Sequence, residues 1–149
     1  MNLFDQISED IKAAMKARDK VRLETLRNIK KVFLEAKTAP GANDTLEDVD
    51  ELKIIAKLAK QGRETAITYT GAGRQDLAEA ELAQVEVLES YLPKQLSDSE
   101  IEEEVKKIIA ETGATSMKEM GKVMGIASKQ MAGRAEGGKI SAVVRSLLA

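Results

Sequence analysis

Five basic side chains late in the chain carry its most legible chemistry. Lys118, Lys122 and Lys129 recur at helical spacing on one stripe, with Gly125 inside it. Arg134 and Lys139 follow between glycines, in Gly133-Arg-Ala-Glu-Gly-Gly-Lys139. Lysines along one helix face, and a glycine-flanked arginine ahead of a helix N-terminus, are residue types that contact phosphates. Gly121 and Gly125 stand four apart, so a neighbouring helix or a ligand can approach the backbone closely there. A glycine inside a helix costs about 1 kcal/mol relative to alanine, so its presence asks for a reason. The same pattern also fits lysines on a solvated face and glycines that let three helices pack. From residue types alone, that plainer reading is the stronger of the two.

A second set of groups falls in the middle of the chain. Glu81 and Gln84 share a helical face with Leu77 and Leu88, and a carboxylate on an apolar face needs a partner. Arg27 and Arg63 are its expected partners, in an interior ion pair that holds three helices together. Only one of the two positions is a carboxylate, so paired acid–base chemistry is not expected. Lys20, Arg27 and Lys31 share another face with Glu24 between them, which reads as an ordinary solvated surface. Met117, Met120, Met124 and Met131 step with Ala127 at three and four, which reads as a core face filled by flexible side chains. A soft-metal site would need Cys or His beside them.

The sequence holds no Cys and no His, which removes disulfides, Cys/His zinc sites, Cys nucleophiles and every histidine base. Neither phosphate-binding glycine signature, G-x-x-x-x-G-K-[ST] or G-x-G-x-x-G on a strand, is present. Asp44, Asp48 and Asp50 lack the spacing of a calcium loop and read as acidic bias at a helix start. No cofactor and no metal are expected.

The elements that must position these groups are all helices. Ala, Glu, Lys, Leu and Arg make 74 of 149 residues, the composition of long helices rather than sheets. The net charge of −2 hides strong local bias. Residues 12–37 carry nine basic against three acidic side chains, residues 76–104 one against ten, and residues 113–149 six against two. Apolar residues at steps of three and four predict seven helices. The first runs from about Leu3 to Arg18. The second runs from about Lys20 to Lys37, capped by Asp19. The third spans Thr45 to about Thr70, with Thr45 as cap, and the fourth Arg74 to Leu92. Ser97-Asp-Ser-Glu100 is a capping box that opens the fifth, and Ser116-Met-Lys-Glu119 a second box that opens the sixth. The seventh takes the chain end after a Gly133–Gly138 break. The expected organisation is all-α: a four-helix N-terminal domain at 1–92, a linker at 93–96, and a three-helix C-terminal domain at 97–149. The longest uncharged stretch, Thr65–Gly73, is nine residues, too short to cross a membrane. Met1-Asn-Leu-Phe-Asp5 lacks the basic region and apolar core of a secretory signal, so a cytoplasmic location is expected; separately, a monomer is expected.

Four stretches carry a family resemblance: Leu26-Arg-Asn-Ile-Lys30; Gly73-Arg-Gln-Asp-Leu77; Leu88-Glu-Ser-Tyr-Leu-Pro-Lys-Gln-Leu-Ser97; and Gly113-Ala-Thr-Ser-Met-Lys-Glu-Met-Gly-Lys-Val-Met-Gly125 continuing to Gly133-Arg-Ala-Glu136. Across essentially its whole length the chain resembles the YqeY-like family. Its C-terminal part resembles the tail domain of GatB, a subunit of the glutamine-dependent tRNA amidotransferase. Glu136 and Gln84 stand where that pattern has Asp and a second Glu. The resemblance implies a link to aminoacyl-tRNA amidation, with tRNA as partner and an amidotransferase or aminoacyl-tRNA synthetase as a further one. Carried onto this chain, the RNA-gripping residues are Lys118, Lys122, Lys129, Arg134 and Lys139. The expected role is a tRNA-binding or amidotransferase-associated accessory protein that does not catalyse alone. A protein–protein adaptor is one alternative. A carbon–nitrogen ligase with glutamine as nitrogen donor, active only inside a larger complex, is another.

Overall fold

The computed structural model describes residues 2–149, and among them every regular element is helical. The order is α1 (Leu3–Ala17), α2 (Lys20–Lys37), α3 (Asp48–Gly71), α4 (Gln75–Glu89), α5 (Asp98–Thr112), α6 (Met120–Gln130) and α7 (Gly137–Leu148), with a 3-10 turn at Met117–Glu119 before α6. The chain divides into two compact units, one ending at Leu92 and the other spanning Pro93–Ala149.

In the first unit, Asn2 caps α1 by accepting from the Asp5 amide at 2.8 Å. Arg18 takes the left-handed conformation (φ 56°) that stops α1, and Asp19 at once caps α2 through the Arg22 amide. That short connection makes α1 and α2 antiparallel neighbours. Gly73, at φ 75°, supplies the equivalent turn between α3 and α4. Ile7, Leu26, Ile29, Phe33 and Ile55 are fully buried at the centre, with Val85 and Leu88 of α4 closing over them. Burial of each such side chain contributes about 1.5–3 kcal/mol. Small residues let α3 and α4 run close together: Ala59, Ala66 and Ala78 are buried, and a Cβ at Gly62 would meet Val85 Cγ2 at 2.6 Å.

In the second unit, α5 opens on the expected box. The Ser97 hydroxyl accepts from the Glu100 amide, and the Glu100 carboxylate accepts from the Ser97 amide. Those hydrogen bonds hold the Glu100 carboxyl below its ordinary range, with the charges of Lys94 and Arg134 adding to the effect. Its core holds Ile101, Val105 and Ile108 of α5, Val123 and Ala127 of α6, Met131, and Ile140, Val144 and Leu148 of α7.

Two expected helix starts come out differently. The Thr45 hydroxyl turns back to donate to the Ala42 carbonyl at 2.6 Å, because Asn43 and Asp44 both adopt positive φ and fold the loop on itself. Helix α3 therefore begins at Asp48, with no side-chain cap but with Asp48, Asp50 and Glu51 in its first turn. At the second box, Ser116 makes no capping bond. Glu119 accepts from the Thr115 amide instead, and the first turn tightens to 3-10.

Candidate functional site

Helix α6 sorts its residues onto two faces. Val123 and Ala127 turn inward and the C-cap Met131 is fully buried, while Met120 and Met124 pack at the core margin. The methionine stripe is therefore mostly core, although Met117, in the 3-10 turn, is 42% exposed. Lys122 and Lys129 stand on the solvent side two turns apart, about 10 Å along the axis, and Lys118 precedes them in the 3-10 turn. None of the three lies within 4.0 Å of a carboxylate among the described residues. Lys106 and Lys107 of the acidic helix α5, by contrast, pair with Glu102 and Glu104.

Gly121 and Gly125 are exposed on α6, and a Cβ at either would meet nothing within 4 Å. Of the alternatives read from the sequence, a neighbouring helix or a ligand, no helix of the tail approaches these glycines, and their backbone faces open space. Arg134 and Lys139 are turned to other work. The half-buried Arg134 donates from Nη2 to the Gln130 carbonyl at 2.7 Å, where a cation complements the C-terminal end of α6. Lys139 pairs with Asp98 at 3.7 Å across the exposed starts of α7 and α5. Of the five residues singled out in the sequence, three remain unengaged at the solvent face.

The first unit departs further from expectation. Among the described residues no ion pair joins Glu81 to Arg27 or Arg63. Arg27 is exposed on α2, and Arg63 Nη1 donates to Glu89 Oε1 at 2.8 Å. The reason is axial position: Glu89 lies about two turns beyond Glu81 on α4, and the Arg63 side chain runs in that direction. Glu81 is half-buried in a cleft between α2, α3 and α4, where it is the only titratable group among the described residues that line the walls.

Two polar clusters went unread in the sequence. Tyr91, just after α4, donates its hydroxyl proton to Asp10 Oδ2 at 2.5 Å and accepts from Arg22 Nη2 at 3.1 Å. The Arg22 guanidinium also lies 5.8 Å from the ring centroid. This cluster ties α1, α2 and the end of α4 together. Burial pushes the Tyr91 phenol far above its ordinary range, the hydrogen bond to Asp10 adds to this, and the Arg22 charge opposes it. The second cluster centres on Glu51, 1% exposed, whose Oε2 has no hydrogen-bond partner among the described residues. Burial raises its pKa above the ordinary glutamate value, Asp48 raises it further, and the Phe4 amide and the Lys37 charge lower it. A signal for both existed: Asp10 falls three after Ile7, and Glu51 four before Ile55, each on its helix's core stripe.

Among the described residues no group of His, Cys, Asp and Glu could hold a metal ion, and no helix is long and apolar enough to cross a membrane. A family model described as Yqey-like protein matches residues 4–148. A relative from Pyrenophora tritici-repentis (strain Pt-1C-BFP), altered inheritance of mitochondria protein 41, mitochondrial, is 31% identical over an alignment of 138 residues that covers 89% of this chain and 73% of the relative.

Proposed function

The chain belongs to the YqeY-like family, and from that premise we propose that it is a tRNA-binding accessory protein that holds RNA phosphates against the solvent face of α6. One observation carries the reading: Lys118, Lys122 and Lys129 are exposed and without carboxylate partners among the described residues, beside two glycines whose backbone is open. Phosphate contacts need free cations and a surface that a polyanion can approach. The likeness of the tail to the GatB tail domain supports tRNA as the polyanion and an amidotransferase or synthetase as the protein that uses it. The four-helix and three-helix units are separate domains in this reading, and the tail is the RNA-binding one. The lining of the first unit's cleft offers one carboxylate and no nucleophile–base pair, which favours an accessory role over a stand-alone ligase. The relative's printed name assigns that protein to mitochondria. This chain needs only a compartment that holds tRNA, and the cytoplasm is the one expected.

The test is binding to bulk tRNA across a salt series, with the Lys118→Ala/Lys122→Ala/Lys129→Ala triple variant alongside. Three phosphate contacts give a log–log slope of roughly −2 to −3, and the variant flattens it toward zero. An unchanged slope and affinity in the triple variant would remove this surface from the reading.

A further inference from the structure

A half-buried carboxylate with no cation beside it is the least explained group of the first unit. Glu81 lines a cleft of about 170 Å³ and is its only charged residue among those described. The other walls are uncharged: the carboxamides of Asn28, Gln61 and Gln84 and the hydroxyl of Thr65, with Leu58, Val85 and Leu88 as apolar surface. Gly62 keeps the space open, since a Cβ there would crowd Val85 and stand 3.9 Å from Glu81 Oε2. A charge taken partly out of water needs a partner, and among the described residues none stands within ion-pair distance.

We propose that this cleft binds a guanidinium group. Guanidinium is flat, permanently charged, and carries its N–H donors in one plane. The cleft offers the complement: one carboxylate, up to three carboxamide oxygens and a hydroxyl oxygen, with an apolar side chain against the flat face. No lysine or arginine lines it to repel a cation. An ammonium group has only three donors and no flat face, so it uses fewer of these acceptors. A phosphate or carboxylate ligand finds no positive charge there. The group belongs either to a free guanidino compound or to an arginine side chain of a partner protein, and the chemistry at Glu81 is the same for both. This inference does not depend on RNA binding by the tail and stands or falls separately.

The test is titration of N-methylguanidine into the isotope-labelled full chain, read from backbone amide shifts. The expected outcome is shifts confined to α2, α3 and α4 with a Kd of about 1–10 mM, the range open to a five-heavy-atom ligand. N-methylurea, the neutral isostere, binds at least about tenfold more weakly, because it lacks the charge that strengthens each hydrogen bond. Glu81→Gln loses binding by a similar factor, whereas Glu86→Gln, the same charge change at an exposed site on α4, does not. Agmatine and the tripeptide Gly-Arg-Gly separate the two sources: tighter binding of the first points to a free compound, and of the second to a partner's arginine. Equal binding of the urea, undiminished binding in Glu81→Gln, or no shifts with any guanidino compound would overturn the proposal. The urea comparison needs no variant, so it decides even if Glu81→Gln is unstable.

Discussion

The unit ending at Leu92 hides polar chemistry inside, and the unit from Pro93 onward keeps it outside. Both buried polar side chains among the described residues, Thr25 and Glu51, lie in the first unit, as do all four aromatics, Phe4, Phe33, Tyr69 and Tyr91. The core of the second unit is aliphatic, with alanine and one fully buried methionine, and its charges stand at the surface. The contrast teaches how helices of similar composition diverge in use. A polar group within a helix bundle makes enclosed sites fit for small ligands. An apolar bundle with a sorted surface can only present a face, and a face suits a large, charged partner.

Core truncation tests this contrast with the largest effect. Phe33→Ala should cost about 3–5 kcal/mol and Met131→Ala about 2–5 kcal/mol. Amide exchange should then show lost protection in α1–α4 for the first variant and in α5–α7 for the second. Loss spread evenly over both units by either variant would break the comparison.

The Tyr91 cluster comes next. Tyr91→Phe should cost about 1–2 kcal/mol, the lower part of the range for bonds to charged partners, because Arg22 and Asp10 remain partly solvated. The folded phenol has a raised pKa. Its contribution is therefore complete below the ordinary tyrosine value of 10.0 and is lost as the pH rises through the raised one. Denaturant unfolding of wild type and variant should accordingly converge at strongly alkaline pH, and a constant difference would contradict the buried hydrogen bond.

The smallest effect is expected at Glu51. Glu51→Gln should stabilise the first unit by about 1 kcal/mol at pH 7, since it removes a charge whose Oε2 is buried without a partner among the described residues. The raised pKa sets the sign: the wild type suffers no penalty below the ordinary value of 4.5 and loses stability as the pH rises through the raised one. Thermal unfolding from pH 4 to 8 should show the variant's advantage growing with pH. A variant less stable than wild type at every pH would mean that the carboxylate is a needed cap for α1 rather than a cost.

The helices themselves were legible because apolar steps and caps are local. Asp19, the Ser97–Glu100 box and Gly73 sit where the pattern places them. What failed is what local pattern cannot encode. Thr45 was lost to two positive-φ residues ahead of it. Gly121 and Gly125 look like packing glycines until the neighbouring helices are in place, and those helices turn elsewhere. The pairing of Arg63 with Glu89 rather than Glu81 depends on the axial offset of α3 against α4, which no single-chain periodicity contains. The lysine stripe was found by spacing alone. The reassignment of Arg134 and Lys139 required knowing where Gln130 and Asp98 lie.

Gln95 and Leu96, read from the sequence as linker, are fastened to the turn before α7. Gln95 Nε2 donates to the Gly133 carbonyl at 2.6 Å, and the Leu96 amide to the Arg134 carbonyl at 2.8 Å. These bonds bridge 38 positions of chain, a span close to that of the Lys139–Asp98 pair. Closing a loop of that length costs more entropy than closing any single helical turn, and it becomes favourable only after the intervening segments have assembled. The exchange rate of one amide hydrogen, that of Leu96, therefore reports whether the stretch from α5 to the turn before α7 is folded at once.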